Sequence, residues 1–338
     1  MRRLLMPLLG LAVLTAVVFL EAAKAEDGNT IRFSAPPVPQ AVPFLRAAES
    51  GAFRNAGRTA AFTPWRSPEQ LRTFVANGTA DAVIAALPTA AVLANKGIPC
   101  KILAVYSAPL WIVSTDASAA ASGTSALDAF ALLHGKEILL PFGPGNMPEL
   151  ALKVLAAERG INLKIRHCGS AMEAANLLRR GQSAYALLPE PAATLVTERE
   201  QQAERIRKCF SLKDVWPHVF PGQASMPTAA LIMVGPLAEN LEVCALVRQN
   251  FMEGAAWAEA NPEAALRLAE TAYPELGKRL GLTPESGKDV FHSLGLLTGR
   301  EGEQAARFML ERLFAINPAS LGGRLPDSGI WRFGDATP

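Results

Sequence analysis

The chain is poor in the residues and spacings that carry covalent, redox or metal chemistry. Its only histidines are His134, His167, His218 and His292, and none falls in a metal-ligand or nucleophile pattern. Four cysteines, Cys100, Cys168, Cys209 and Cys244, include no Cys-x-x-Cys pair, and their spacings do not suit zinc. No Gly-x-Ser-x-Gly elbow is present, which removes the usual hydrolase nucleophile turn. No Gly-x-x-x-x-Gly-Lys-Ser/Thr loop is present either, so the chain is not an ATP-driven motor. These absences predict a protein that is not an enzyme and that needs no cofactor or metal.

Charge of one sign is also lacking. The 338 residues carry a formal net charge of +2. Arg2 and Arg3 precede one long apolar run, Leu4 to Leu20, and Ala23-Lys24-Ala25 has the small-x-small form of a signal-peptidase site. Pro7 and Gly10 interrupt the run, and it is short for a membrane span, so cleaved export fits better than a retained anchor. Cleavage is expected after Ala25. Removing Arg2, Arg3, Lys24 and Glu21 from totals of 33 basic and 31 acidic residues leaves 30 of each. A neutral mature chain offers no basic field to nucleic acid or to an anionic membrane.

What the chain does have is a pattern stated twice, about 100 residues apart. Asn77-Gly78-Thr79-Ala80-Asp81 leads into the apolar run Ala82 to Leu87, then Pro88 and a helical stretch. Arg180-Gly181-Gln182-Ser183-Ala184 leads into Tyr185 to Leu188, then Pro189-Glu190-Pro191 and another helix. Each reads as a helix stopped by Gly, a buried strand, and a Pro-marked turn into the next helix. The units upstream match as well, with strands at 31–35 and 137–140 that break at Pro36-Pro37 and at Pro141 to Gly145. The alternation predicts two doubly wound α/β lobes with a ligand cleft between them. Strands at 101–106 and 110–114 lead out of the first lobe, 229–234 returns to it, and a helical region follows from Pro236. Leu237, Leu241, Cys244, Val247, Phe251, Ala255 and Ala258 are expected to form one apolar helix face against the first lobe. The division is 1–25 signal peptide, 26–112 first lobe, 113–227 second lobe, and 228–338 return and C-terminal helices. Export to an oxidising compartment makes a Cys168–Cys209 disulfide an expectation, with Cys100–Cys244 a second pairing.

Several phrases resemble the solute-binding proteins of ABC importers, in the branch for nitrate, sulfonate, taurine and thiamine precursors. They are Gly51-Ala52-Phe53, where Ala52 replaces one aromatic, Gly78 with Asp81, Lys96-Gly97-Ile98-Pro99, Glu190-Pro191 and Asn261-Pro262-Glu263. Their order and spacing cover roughly residues 30–315. The resemblance implies a type II periplasmic-binding-protein fold. It also implies a monomer in the periplasm that delivers a small molecule to an inner-membrane permease with a cytoplasmic ATPase. An exported sensor domain would share these features, since no motif marks a docking surface. Thiamine-pyrimidine synthases have this fold too, but their Cys-rich segment is missing here.

In open α/β sheets ligands sit beyond the carboxyl ends of strands. The expected ligand-binding residues are therefore Pro37, Gln40, Trp65, Pro88 and Thr89 from the first lobe. The second lobe is expected to supply Trp111, Gly143, Gly145, Asn146 and Glu190. The Gly143–Asn146 turn is expected to offer free backbone N–H groups to a partial or full negative charge. Glu190 is expected to accept hydrogen bonds from a ligand or to cap its helix, and the two indoles to hold a flat or apolar body.

Overall fold

The computed structural model describes residues 29–116, 123–198 and 206–334. The expected signal peptide, its expected cleavage site and most of the Asp116–Ser125 segment lie outside these residues. Two mixed sheets organise the chain. The first has the order β2-β1-β3-β10-β4-β11, built from β1 (Thr30–Ser34), β2 (Thr59–Phe62), β3 (Ala82–Ala86), β4 (Cys100–Tyr106), β10 (Ala229–Val234) and β11 (Leu296–Leu297). The second has the order β7-β6-β8-β5-β9, from β5 (Leu110–Ser114), β6 (Glu137–Pro141), β7 (Lys164–Cys168), β8 (Tyr185–Pro189) and β9 (Arg207–Ser211).

The first five positions of the two orders correspond. In each sheet one strand arrives from the other lobe and runs antiparallel to both neighbours: β10 lies between β3 and β4, and β5 between β8 and β9. The strand Leu110–Ser114 thus lies wholly in the second sheet, so the chain changes lobe in the Ser107–Pro109 segment rather than within the strand. The central strands are buried on both faces and read as unbroken apolar runs, as strands covered by helices must.

Asp81 explains the Gly78-x-x-Asp81 phrase. Gly78 turns the chain at φ 63°, and Asp81 then ties β3 to β1. Its carboxylate accepts from the Arg32 backbone N–H (2.9 Å) and from Arg32 Nε (2.8 Å) and Nη2 (3.2 Å).

One face of the first sheet carries an aromatic core. Phe33 stacks on Phe44 at 4.6 Å, and Phe44 meets Phe251 edge-on at 4.9 Å. Phe251 belongs to the long helix Leu241–Ala260, which packs on the helix Val42–Glu49. The buried stripe of that long helix is Val243, Cys244, Val247, Asn250, Phe251, Gly254 and Ala258. Leu241 is 59% exposed and Ala255 half-buried, so the expected face is displaced. The displacement has a steric cause: a Cβ at position 254 would sit 2.8 Å from the Pro43 carbonyl oxygen, so the closest approach falls on Gly254.

The other faces of both sheets share one continuous core. The C-terminal helix Gly299–Ile316 completes it by crossing between lobes. It packs on β4 and on the second-lobe helix Met147–Glu158, and Phe308 meets Phe220 at 5.2 Å and Trp216 at 6.0 Å. The helix itself falls in the helical region expected from Pro236, but its crossing to the second lobe, and the helix Leu212–Val219, are not anticipated from the sequence.

The cysteine pairing is corrected. Cys168 ends β7 and Cys209 lies in β9, at opposite edges of a five-stranded sheet. Four strand spacings separate them by roughly 19 Å, against a Cα separation of at most about 7 Å for a disulfide. Cys100 and Cys244 are free thiols too, donating to the carbonyls of Ala90 (3.4 Å) and Ala238 (3.4 Å).

Candidate functional site

The carboxyl ends of the two sheets approach each other around the lobe crossover. Ser107 follows β4; its N–H donates to the Gly295 carbonyl (2.9 Å), and its hydroxyl accepts from the Met226 N–H (3.0 Å) just before β10. Lys213, two residues beyond β9, reaches the first lobe and donates to the Ser293 carbonyl at 3.2 Å. Burial lowers its ammonium from the usual lysine range. Farther out, a Cβ at Gly281 of the first lobe would stand 3.5 Å from Leu195 of the second.

On the first-lobe side, Pro37 and Gln40 occupy the loop after β1. Trp65 follows β2 and donates its backbone N–H to the Ala35 carbonyl at 3.1 Å, which lays it beside that loop. Gln40 Oε1 and Trp65 Nε1 are buried with no hydrogen-bond partner. Pro88 and Thr89 open the helix Leu87–Asn95, where Leu87 N–H goes to the Thr228 carbonyl (3.1 Å) and Pro88 has none to give. Thr89 is the first residue of that turn with both a backbone N–H and a hydroxyl.

On the second-lobe side, Trp111 sits near the start of β5 with the Lys208 ammonium 5.0 Å from its ring centroid. Its Nε1 is likewise buried and unpartnered. A buried polar atom left without a partner costs roughly 1–3 kcal/mol, a cost that a ligand group reaching it would offset.

The Gly143–Asn146 turn differs from the expectation of free donors. Asn146 Oδ1 accepts from the Glu149 N–H (3.0 Å), and Asn146 Nδ2 donates to the Gly143 carbonyl (2.6 Å). The Gly145 N–H, at φ 79°, donates to Glu149 Oε2 at 2.6 Å. Glu149 is buried and also meets Lys153 Nζ (2.5 Å) and His167 Nε2 (3.1 Å). Burial alone would raise its carboxyl, but Lys153, the Gly145 N–H and His167 together hold it below the usual range.

Glu190 is similarly occupied. Oε2 accepts from the Thr194 N–H (3.2 Å) and Oε1 from Lys208 Nζ (2.7 Å), which also donates to Thr194 Oγ1 (2.6 Å). A third case follows β7, where the Gly169 N–H donates to Glu173 Oε2 at 2.7 Å. All three second-lobe helices that start at the cleft ends of β6, β7 and β8 thus have donors satisfied by a glutamate of their own turn. Glu149, Glu173 and Lys208 are the residues sequence reasoning missed. An acid in a first helical turn is a visible signal for the first two; nothing local marks Lys208.

Phe142 stands just before Gly143 at φ 78°, a strained value for a non-glycine residue, and is 53% exposed. Among the described residues no cluster of His, Cys, Asp and Glu could hold a metal, and no helix is long and apolar enough to cross a membrane.

Two α/β lobes with matched strand orders, exchanged central strands and carboxyl ends that meet around the crossover define a two-lobed α/β architecture. More particularly, the fold is that of the periplasmic binding proteins. An ABC transporter from Parabacteroides distasonis superposes with a TM-score of 0.67 at 17% identity, covering 90% of this chain and 98% of that one. The periplasmic aliphatic sulphonate-binding protein SsuA of Escherichia coli gives 0.63 at 14% identity, covering 92% and 94%. The periplasmic nitrate-binding protein NrtA of Synechocystis PCC 6803 gives 0.57 at 14%, covering 87% and 84%. No protein-family model matches the chain, and no curated protein does.

Proposed function

We propose that this chain is the exported solute-binding component of an ABC import system. It captures one small organic molecule between its lobes in the periplasm and delivers it, unchanged, to an inner-membrane permease driven by a cytoplasmic ATPase. It works as a monomer without a cofactor. The observation that carries this reading is the set of buried, unpartnered polar atoms at the cleft ends of both sheets: Gln40 Oε1 and Trp65 Nε1 from one lobe, Trp111 Nε1 from the other. A ligand bearing hydrogen-bond acceptors for the two indoles and a donor for Gln40 satisfies all three. Pro37, Pro88 and Thr89 flank it from the first lobe, and Gly143, Gly145 and Asn146 from the second. Glu190 belongs to the site as the group that holds Lys208 beneath Trp111.

The ligand is uncharged. The neighbours of similar fold are named for sulphonate and nitrate, both anions. Here donors at the second-lobe helix starts are already taken by Glu149, Glu173 and Glu190. Native mass spectrometry of gently purified protein identifies the co-purified ligand. An uncharged molecule is expected, with compaction in small-angle scattering on saturation. Trp65→Phe and Trp111→Phe should each weaken binding about tenfold, the worth of one hydrogen bond. An anion in the cleft, or full affinity in both variants, overturns the assignment.

A further inference from the structure

Phe142 is held in two states that a phenylalanine ordinarily avoids. Its φ of 78° lies in the left-handed region, where every other described residue is a glycine. Among the described residues no other aromatic side chain is as exposed. Neither state is demanded locally: glycine would take this backbone angle without strain, and a polar side chain would suit the water. Strained residues of this kind cluster at ligand-contacting sites, where the surroundings impose the conformation.

The surroundings do impose it, from both sides. The Phe142 N–H donates to the Cys168 carbonyl at 3.1 Å, which carries the pairing of β6 with β7 one step past Pro141. On the other side the Gly143 carbonyl accepts from Asn146 Nδ2, and the Gly145 N–H donates to Glu149. Pro144 has no N–H to give. The donors at positions 142 and 145 are therefore engaged, and what this turn has left to offer at the carboxyl end of β6 is the Phe142 ring. Strands β6 and β5 lie on either side of β8. Two strand spacings, roughly 10 Å, thus separate Phe142 from Trp111 across the sheet, the span of one small cyclic compound.

We propose that Phe142 is a specificity-determining residue of the cleft, and that the solute is an uncharged compound with a flat, unsaturated ring. This rests on the cleft reading above and deepens it. An aromatic face gains from stacking on a second flat ring beyond the area the two bury, and a saturated ring gives it only the area. The turn after β6 contributes this ring contact in place of the backbone donors expected of it.

The test uses benzamide and cyclohexanecarboxamide, two uncharged probes with the same amide and different rings, in titrations followed by ligand-observed NMR. Benzamide should bind the parent about fivefold more tightly, the worth of one aromatic pair. Phe142→Leu keeps an apolar side chain without a ring face and should cut that ratio to about twofold or less. Phe142→Gly suits the backbone angle and should give the same loss of preference if Phe142→Leu does not fold. Trp65→Phe should weaken both probes and leave their ratio unchanged. If the Phe142 variants keep the ratio while Trp65→Phe weakens both probes, the role of Phe142 is overturned and the cleft reading stands. If neither Trp65→Phe nor the Phe142 variants alter the binding of either probe, the cleft reading falls and this inference with it. Equal binding of the two probes to the parent, or binding of neither, overturns the proposed solute class.

Discussion

Lys208→Met tests whether the second-lobe wall is built as described. The Lys208 ammonium joins Glu190 Oε1 at 2.7 Å and Thr194 Oγ1 at 2.6 Å while lying 5.0 Å from the Trp111 ring centroid. The Glu190 side chain is only 4% exposed, so removing the lysine leaves a carboxylate buried with the Thr194 N–H as its remaining contact. Breaking a buried pair costs about 3–5 kcal/mol; Lys208 is 28% exposed, so the lower end applies, about 3 kcal/mol. With a urea slope of about 2 kcal/mol per molar, the second-lobe midpoint should fall by roughly 1.5 M. Fluorescence of Trp111 and Trp216 reports that lobe in a background with Trp65, Trp257 and Trp331 replaced by Phe. Adding Glu190→Gln removes the stranded charge, so the double variant should be more stable than additivity of the two single losses predicts, by about 1 kcal/mol or more. Thermal shift with the cleft ligand should also weaken, because the cation that lies over the Trp111 ring is lost. A midpoint drop under roughly 0.5 M, or strict additivity in the double variant, refutes the reasoning.

The Glu149 carboxyl is held below its ordinary value, so its contribution to stability is complete above a pH of about 4.5 and is lost as pH falls below it; Glu149→Gln should flatten the acid limb of the melting temperature. An unchanged acid limb counts against the Lys153–Glu149–His167 cluster. Gly254→Ala should destabilise by about 1–3 kcal/mol despite the better helix propensity of alanine, because the new methyl meets Pro43 backbone at 2.8 Å; a gain in urea midpoint would show that the two helices are not in contact there. Peptide mapping without reduction should find Cys168 and Cys209 as alkylatable thiols once the chain is denatured, and a linked peptide would contradict the strand order. In the folded protein Cys209 should react slowly near neutral pH, since burial pushes its thiol up to about 11.

The sequence by itself determined the local units and their repetition. Gly and Pro punctuation fixed where helices stop and start, and apolar runs marked the central strands, because these depend on contacts a few residues apart. Pro88 and Thr89 at a helix start follow from such local rules. The expectation that Trp65, Trp111 and Gln40 stand at strand ends was legible for the same reason. Tertiary structure alone decided the rest. Strand order put Cys168 and Cys209 at opposite edges, a fact no spacing along the chain encodes. The free donors expected at Gly143–Asn146 were consumed by Glu149, and of the two roles expected for Glu190 the capping one is seen, its second oxygen held by Lys208 from a strand 18 residues away. Which face of Leu241–Ala260 lies inside was set by Gly254 meeting Pro43, since burial follows where two backbones can approach, not where a run of apolar residues happens to align. The crossing of Gly299–Ile316 to the second lobe was decided likewise, by Phe308 finding Trp216 and Phe220 across the chain.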